Sequence, residues 1–436
     1  MRGSTPGTAT SCTPRARARV SCTRSCSPTS SCPSSPAQGV RNCSGVSRTL
    51  VVTNDFPPRA GGIQAFVHGV LLHQDPDSVV VYAPSWKRAA EFDAQQPFPV
   101  VRHRTSLMLP EPMVAAKARK IAEEYDCDRV LFGAAAPLGL LAAGLRKRGM
   151  GPIVAMTHGH EAAWATTPGA KSVLRSIGDS VDTVTYLGEY TRRRIASALR
   201  PAAAARMRRL VPGVDTGVFN PGMRAQGRSL REELGLADRP VVVCVSRLMP
   251  RKGQDTLIRA LPQIQRRVPD AALLIVGGGP YRSTLDKLVA QTGVADSVVL
   301  TGTVPWEALP VHYAAGDVFA MPCRTRNRGW DVEGLGIVYL EAGAIGLPVI
   351  AGDSGGAPDA VLDGRTGYVV PGSDLSAVAG RVGELLQDPV KAAAMGEEGR
   401  RWVQREWTWP TISGRLTDLL EGRDPDLVTP PGVQET

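Results

Sequence analysis

Short, uninterrupted apolar runs alternate with longer amphipathic stretches along most of this chain. Residues 49–53 form the first run, and their β-branched side chains are typical of a buried parallel strand. A loop rich in turn-forming residues follows over 54–62, and residues 63–72 have the apolar spacing of a helix. Because strands that alternate with helices form a parallel sheet covered on both faces, the pattern predicts an α/β fold. Further strands are predicted at residues 79–82, 130–132, 153–157 and 183–186, with helices at 113–125 and 138–148.

The same pattern starts again in the second half of the chain. Residues 241–245 are a continuous apolar run, and a helical pattern follows over 253–268. Two α/β units, joined near residues 212–226, are therefore predicted. The remaining strands are predicted at residues 273–276, 298–300, 318–321, 349–351 and 367–370.

The predicted domain organisation follows from these patterns. Residues 49–222 form the first domain and residues 223–405 the second. A C-terminal helix over 406–422 is expected to pack back toward the first domain, and residues 423–436 are expected to be a frayed tail.

Residues 1–48 differ in composition from the rest of the chain. They are rich in Ser, Thr, Pro, Arg and Cys and contain hardly any bulky apolar residues, so they cannot offset the entropy cost of ordering. We expect a disordered basic tail. An over-extended reading of the gene, with the natural start near Val46, and a functional basic arm are the alternatives.

The formal net charge of +10 is unevenly distributed. The tail contributes +7, residues 49–225 contribute +7 through 22 basic and 15 acidic residues, and residues 226–436 contribute −4. Because much of the basic excess lies in the tail, charge gives only weak support for nucleic-acid binding, and we expect no such partner.

Cysteine usage and hydropathy indicate the compartment. Only Cys127, Cys244 and Cys323 lie outside the tail, which suits a reducing compartment. No stretch approaches the ~18 consecutive apolar residues of a membrane span, and no secretory signal pattern opens the sequence. We therefore expect a cytoplasmic protein.

The first candidate site follows the predicted strand 241–245. Arg247, Arg251 and Lys252 come within a few residues of the strand's end, just before a predicted helix. Open α/β sheets bind ligands beyond the carboxyl ends of their strands. Cations beside helix amides suit a phosphate or diphosphate there. A solvated surface loop is the alternative for three such charges taken alone.

The second candidate site follows the predicted strand 318–321. Glu333 and Glu341 stand eight positions apart, on either side of a predicted helix start. Free backbone amides at that start would point at an anion, and glycine permits close backbone approach. A carboxylate just inside the helix is placed to accept hydrogen bonds from sugar hydroxyls. The turn and helix start consist of Gly334, Leu335, Gly336 and Ile337.

The two sites together carry a family resemblance. Arg247 and Lys252 form an Arg-x4-Lys pair, and Glu333 and Glu341 form a Glu-x7-Glu pair. The combination resembles glycosyltransferase family 4, whose members are retaining enzymes. The resemblance implies the GT-B fold, in which two Rossmann-like doubly wound α/β domains face each other across a cleft. It extends over residues 50–420 and includes Gly61-Gly62, Pro212-Gly-Val-Asp215 and Gly277-Gly-Gly-Pro280.

Three further motifs are similar to those of family-4 mannosyltransferases that act on phosphatidylinositol monomannoside. The similarity implies GDP-mannose as the donor substrate, a mannosylated phosphatidylinositol as the acceptor and an α-1,6 linkage. No residue reads guanine directly, so the base is implied by the similarity alone. The motifs are Thr157-His-Gly-His-Glu161, Tyr190-Thr-Arg-Arg-Arg194, and Pro322-Cys-Arg-Thr-Arg326 leading into Asp331-Val-Glu-Gly-Leu-Gly336.

The family resemblance also implies roles for single residues. Arg247 and Lys252 would neutralise the donor diphosphate. Glu341 would bind the ribose, Glu333 would hold the transferred sugar, and His158 would approach that sugar from the first domain. The implied catalytic residues are His158, Arg247, Lys252 and Glu333. The implied donor-binding residues are Gly62, Arg247, Lys252, Gly277, Gly334, Leu335, Gly336, Ile337 and Glu341. The implied acceptor-side residues are Asn54, Gly61, His160 and Arg192.

The expected partners follow from the same resemblance. We expect no tightly bound cofactor and no protein-held metal, since His160 and Glu161 lack a third ligand. A divalent cation is expected at most to stimulate the activity without being held by a protein motif. Basic clusters at residues 117–120, 146–148 and 192–194 are either solvated helix faces or a docking surface for an anionic membrane. Peripheral association with the inner face of the cell membrane is the hypothesis.

Several alternatives stay open or are disfavoured at this point. A family-4 enzyme that uses a UDP- or ADP-sugar and a soluble acceptor is the main rival, and a non-catalytic sugar-nucleotide binding protein is another. A dehydrogenase is disfavoured because residues 277–280 lack the G-x-G-x-x-G spacing. Asp359 replaces a Glu usual in the family, and Arg328 and Trp330 are unusual in the loop before Glu333.

Overall fold

The computed structural model describes residues 47–425. The predictions for residues 1–46 and 426–436 lie outside these described residues. The first strand begins at Arg48, one residue earlier than the sequence pattern indicates.

The first domain is built on a parallel sheet of seven strands in the order β3-β2-β1-β4-β5-β6-β7. Leu50 of β1 lies opposite Val80 of β2 on one side and Val130 of β4 on the other. The strands are β1 (Arg48–Val52), β2 (Val79–Pro84), β3 (Val100–His103), β4 (Cys127–Phe132), β5 (Ile153–Ala155), β6 (Thr183–Tyr186) and β7 (Arg208–Arg209). The helices are α1 (Gly62–Leu71), α2 (Ala89–Asp93), α3 (Pro112–Glu124), α4 (Ala142–Arg146), α5 (Glu161–Trp164), α6 (Pro168–Ser180), α7 (Glu189–Ala196) and α8 (Pro201–Ala205).

The second domain repeats this plan with six parallel strands in the order β10-β9-β8-β11-β12-β13. The strands are β8 (Val241–Val245), β9 (Ala272–Val276), β10 (Val298–Gly302), β11 (Val318–Met321), β12 (Val349–Gly352) and β13 (Gly367–Val370). The helices are α9 (Arg224–Glu233), α10 (Gln254–Gln265), α11 (Arg282–Thr292), α12 (Leu309–Ala314), α13 (Ile337–Ile345), α14 (Leu375–Gln387), α15 (Pro389–Glu406) and α16 (Trp409–Leu420).

The apolar runs form the central strands because helices cover both faces of each sheet. Every residue of β8 and of β9 is buried, and so are Leu50, Val51 and Val52 of β1. Continuous apolar sequence is what a strand without a solvent face requires. The prediction of two doubly wound α/β domains is confirmed.

The C-terminal helix α16 packs against α1 of the first domain. Trp409, its first residue, lies so close to Gly69 that a β-carbon there would come within 2.5 Å of the indole. The chain crosses between the domains twice, and the crossings pair where Val214 N donates to the Trp407 carbonyl at 2.7 Å. Between residues 47 and 425, none of the helices has both the length and the hydropathy that a bilayer-spanning segment requires.

Three elements differ from the sequence prediction. Strands β3 and β7 were not indicated by the hydrophobic pattern. The helix predicted at 138–148 is instead a 3-10 turn, Leu138–Leu141, followed by the short α4. Gly139 in that turn packs directly on Ile177 of α6, a contact that the sequence spacing does not reveal.

Candidate active site

The start of α13 is shaped by a left-handed glycine. Gly336 has φ +81 and precedes the first helical residue, Ile337. A β-carbon at Gly336 would lie 2.4 Å from the ring of Tyr339, so glycine is needed for both its conformation and its space. The first amides of a helix carry partial positive charge and have no partner within the helix. This end of α13 can therefore bind an anion.

A cavity of about 480 Å³ lies between the two domains and is bordered by this helix start. The first domain contributes residues of α1, the crossing segments contribute Pro212–Asp215, Phe219 and Trp409, and the second domain contributes the rest. The lining residues are Gly62, Ala65, Phe66, Pro212, Gly213, Val214, Asp215, Phe219, Lys252, Trp306, Glu333, Leu335, Gly336, Ile337, Val338, Glu341 and Trp409.

Lys252 and Glu333 form an ion pair at the cavity wall. Lys252 Nζ lies 2.6 Å from Glu333 Oε2, and the two side chains are 12% and 8% exposed. Arg251 approaches the same carboxylate oxygen at 3.8 Å and Asp331 Oδ1 at 3.5 Å. Positive and negative groups thus stand together at a largely desolvated edge, where charge interactions are strong.

Glu341 is a half-buried residue of α13 whose carboxyl group is largely desolvated. Burial raises its pKa from 4.5 to about 7, and a hydrogen bond from the Tyr313 hydroxyl at 2.5 Å acts in the opposite direction. Burial also raises the pKa of Tyr313 well above its ordinary value, so this phenol remains a donor. Glu341 lines the cavity and can accept hydrogen bonds there when ionised.

Seven of the predicted site residues line this cavity. Gly62 is one of them, and a β-carbon there would meet no protein atom within 4 Å, so a side chain would take up cavity space. The seven are Gly62, Lys252, Glu333, Leu335, Gly336, Ile337 and Glu341.

Arg247, Gly277 and Gly334, although predicted to bind the donor, are not among the lining residues. Arg247 is exposed on the loop after β8. Gly277 has φ +136, and a β-carbon there would lie 2.1 Å from the Ser246 carbonyl oxygen, so its observed role is close packing of two strand ends. Gly334 lies near Gly159 of the first domain, whose β-carbon would be 3.9 Å from its Cα.

His158 does not line the cavity but lies behind Phe66, which does. It packs edge-on against Phe66, which lines the cavity, with the ring centroids 5.6 Å apart. Its Nε2 is 2.5 Å from the Gly133 carbonyl oxygen, and its backbone N–H donates to Glu161 at 2.9 Å. Burial lowers the pKa of His158, so the imidazole is neutral at pH 7 and Nε2 is the donor to Gly133.

The predicted acceptor-side residues occupy separate positions around the first domain. Asn54 exchanges two hydrogen bonds with the backbone of Met108, at 2.9 and 2.8 Å, and so ties down the loop before α3. Gly61 precedes α1. His160 lies 3.4 Å from the buried Glu161, and Arg192 pairs with Glu189 on α7 at 2.6 Å. Within the described part of the chain, no group of three or more His, Cys, Asp or Glu could hold a metal ion.

Several cavity residues carried no sequence signal. Phe66, Phe219, Trp306 and Trp409 line the cavity, and Trp306 is 53% exposed beside Phe219. Each comes from a different segment, so only the fold brings them together. Tyr313 was missed for the same reason, because it stands 28 positions before its partner Glu341.

Comparison with known proteins gives the family. The model of Glycosyltransferase Family 4 matches residues 60–218, and the model of Glycosyl transferases group 1 matches residues 228–402. A relative from Mycolicibacterium smegmatis is 56% identical over 382 residues, which covers 86% of this chain and 98% of that protein. The chain belongs to glycosyltransferase family 4.

The relatives in this family have specific names. The Mycolicibacterium smegmatis protein is a GDP-mannose-dependent alpha-(1-6)-phosphatidylinositol monomannoside mannosyltransferase. A Corynebacterium glutamicum protein that acts on the monoacylated form is 47% identical, covering 86% of this chain and 98% of the relative. The crystal structure of Anabaena HepE in complex with UDP superposes with a TM-score of 0.70 at 21% identity, covering 86% of this chain and 100% of HepE. At that identity the superposition shows the fold alone, which is GT-B.

Proposed function

We propose that this enzyme transfers mannose from GDP-mannose to the mannosyl group of a phosphatidylinositol mannoside, forming an α-1,6 linkage. The observation that carries the proposal is the 56% identity to a mannosyltransferase of that specificity over 98% of its length. A GT-B enzyme binds its donor between two domains, and the cavity beside α13 lies between the domains and is bordered by Lys252 and the start of that helix.

The donor diphosphate is proposed to lie between Lys252 and the start of α13. Lys252, Gly336 and Ile337 border one cavity, so a single diphosphate could contact the lysine and the helix-start amides together. The diphosphate would replace Glu333 as the ion-pair partner of Lys252, whose Nζ lies 2.6 Å from Glu333 Oε2. Arg247 belongs to the proposal as a residue of the exposed loop that would turn inward on donor binding.

The two carboxylates are proposed to bind the sugars of the donor. Glu341, fixed by Tyr313, would accept hydrogen bonds from the ribose hydroxyls. Glu333, released from Lys252, would hold hydroxyls of the transferred mannose. His158 would support the opposite wall through Phe66 and approach the mannose as the domains close.

The proposed reaction exchanges one bond at the anomeric carbon of mannose. The bond from that carbon to the β-phosphate oxygen breaks, and its electron pair leaves with GDP. A bond forms to the acceptor hydroxyl oxygen, which loses its proton, and the anomeric configuration is retained. Negative charge grows on the departing diphosphate, so fixed donors such as Lys252 and helix amides stabilise the transition state more than the ground state. No tightly bound cofactor is part of the proposal.

A nucleotide panel and a transfer assay test this function. We expect GDP to raise the melting temperature well above any effect of UDP, ADP or NAD. With GDP-mannose and phosphatidylinositol monomannoside, we expect a dimannosylated product whose formation survives EDTA. Stabilisation by UDP alone, or transfer only to soluble acceptors, would replace the substrate assignment with the rival family-4 activity.

We also propose that the first domain docks on an anionic membrane surface through the loop before α3 and α3 itself. Leu107, Leu109 and Met113 are 56%, 51% and 65% exposed, although large apolar side chains gain free energy when removed from water. Lys117 and Lys120 of α3 follow them directly. Apolar side chains next to lysines suit a bilayer of anionic lipid, with about 1 kcal/mol for each basic residue near the surface.

Liposome co-sedimentation tests the docking surface. We expect binding to vesicles that contain phosphatidylinositol, loss of binding at high salt, and a strong reduction in a Leu107→Ser, Met113→Ser variant. Val390→Ser is the matched control, because Val390 is 80% exposed on α15 of the second domain. Equal binding to neutral vesicles, or an equal loss in the control, would refute the surface.

A further inference from the structure

The N-terminal end of α7 in the first domain is capped by a residue of the second domain. The backbone N–H of Glu189, the first residue of α7, donates to Asp359 Oδ2 at 3.0 Å. Gly188 permits this approach, because a β-carbon there would lie 2.3 Å from the same oxygen. Asp359 thus accepts a hydrogen bond from one of the first amides of α7, which have no partner within the helix and are usually capped by a residue next to it in sequence.

A second contact joins the same helix to another segment of the second domain. The Tyr190 hydroxyl donates to the Gly329 carbonyl oxygen at 3.4 Å. Arg194, one turn further along α7, lies over the Tyr190 ring at 5.2 Å and holds it in place. Gly329 belongs to the loop that leads from β11 to α13, and Glu333 lies in that loop.

The two segments of the second domain that α7 contacts, around Gly329 and Asp359, are both connected to Glu333. The Glu333 backbone N–H donates to Ser354 Oγ at 3.2 Å, and its carbonyl accepts from Gly356 N at 3.0 Å. Asp359 N in turn donates to the Gly356 carbonyl at 3.1 Å. Gly355, with φ +58, packs so closely that a β-carbon would lie 2.0 Å from the Glu333 carbonyl oxygen. A path of hydrogen bonds and close packing therefore runs from Asp359 to the backbone of Glu333.

We infer that Asp359 and Tyr190 are positioning residues through which α7 of the first domain fixes the carboxylate of Glu333. The inference rests on the proposed contact between Glu333 and the transferred mannose. Lys252 stands on a different loop of the second domain, after β8, and the hydrogen bonds that start from Asp359 lead to the backbone of Glu333 instead. Closure of the two domains would then align the transferred sugar through Glu333, while the contacts of Lys252 with the nucleotide diphosphate stay the same.

Steady-state kinetics of Asp359→Ala and Tyr190→Phe test this role. We expect kcat to fall between about 10- and 100-fold for Asp359→Ala, because small displacements of a positioning group cost that much. The Kd for GDP should change less than about twofold, since the diphosphate contacts remain. Asp359→Asn should recover much of the activity, because its amide oxygen can still accept from Glu189 N. Tyr190→Phe removes only a hydroxyl and should lower kcat in the same direction.

Asp374→Ala is the matched control. Asp374 caps α14 within the second domain by accepting from Ser376 N and Ala377 N, away from the cavity. Its loss should lower stability but leave kcat unchanged. Unchanged kcat in Asp359→Ala, or an equal fall in Asp374→Ala, would overturn the inference.

The Glu333→Gln variant distinguishes the proposed role of Glu333 in sugar binding from the inferred positioning role of α7. If this variant keeps full kcat, the proposed role of Glu333 fails and the positioning role fails with it. If Glu333→Gln loses activity while Asp359→Ala and Tyr190→Phe keep theirs, the proposed site stands and only the inference about α7 is wrong.

Discussion

We expect Lys252 to be the main cationic side chain in the proposed diphosphate site, because it is the basic residue among those that line the cavity. Its ammonium group lies 2.6 Å from Glu333, and the Lys252 side chain is 12% exposed. A diphosphate that displaces Glu333 would replace one anion with a more highly charged one.

We expect Lys252→Met to weaken GDP binding by tenfold or more, the equivalent of about 1.4 kcal/mol for a lost charge-assisted hydrogen bond. Isothermal titration with GDP measures the change. Lys287→Met is the control, because Lys287 is exposed on α11. Unchanged affinity in Lys252→Met would exclude this lysine from the diphosphate site.

Glu341 should leave a signature in the pH dependence of stability. Burial raises its pKa to about 7 in the folded protein, against an ordinary 4.5. The folded state therefore binds more protons than the unfolded state between these values. The contribution to the free energy of unfolding is present below pH 4.5 and is lost as pH rises through about 7, with a slope of at most about 1.4 kcal/mol per pH unit.

Urea unfolding of the nucleotide-free protein across this pH interval measures the effect. Glu341→Gln removes the titrating group, so the difference between wild type and variant should fall as pH rises. A difference that stays flat with pH would show that Glu341 titrates in its ordinary range.

We expect α13 and its entry turn to be the element that contributes most to donor binding. The sequence predicted this turn well, because Gly336 and the apolar run after it form a strong local signal for a helix start. It could not predict that Arg251 would pair with Asp331, since that contact depends on how two loops meet at the strand ends. Arg247 was expected in the site from its position after a buried strand and from the family resemblance, and the roles of all these residues stay predictions.

We expect Gly336→Ala to lower both stability and GDP affinity, since φ +81 strains any side chain and the methyl group would meet Tyr339. A loss of about 1–3 kcal/mol in unfolding free energy is typical of such strain. Gly364→Ala is the control, with φ +74 and open space around its β-carbon. It should lose stability but bind GDP normally, and equal weakening in both variants would contradict a local role for Gly336.

The central parallel strands, such as β1, β8 and β9, were predicted because each is a buried apolar run. Strand β7 escaped prediction, since it consists only of Arg208 and Arg209 and owes its conformation to pairing with β6. Apolar and polar residues do not alternate along strand β3, in which only Val100 and Val101 are apolar. Edge strands of this kind are set by their neighbours, so local sequence carries little information about them.

At the level of the whole molecule, the two domains are joined by contacts distant in sequence. Gln74 beyond α1 donates to the Ser413 carbonyl of α16 at 2.9 Å, across 339 positions. Trp409 lies close to both Gly69 and Gly213 and stacks on His73 with ring centroids 5.9 Å apart. No pattern within either half of the sequence could reveal these pairs.

We expect Trp409→Ala to lower the free energy of unfolding by about 3 kcal/mol, because the indole fills the space between α1 and the first crossing. Thermal or urea unfolding measures it. Trp330→Ala, whose side chain is 65% exposed, should change stability by less than about 0.5 kcal/mol. Equal stability of both variants would mean that α16 does not hold the domains together.

The most direct test is a crystal structure of the enzyme with bound GDP-mannose or GDP. We expect the diphosphate within hydrogen-bonding distance of Lys252 Nζ and of the amides at the start of α13, with the ribose beside Glu341. A nucleotide bound outside this cavity, with Lys252 still paired to Glu333, would contradict the proposed donor site.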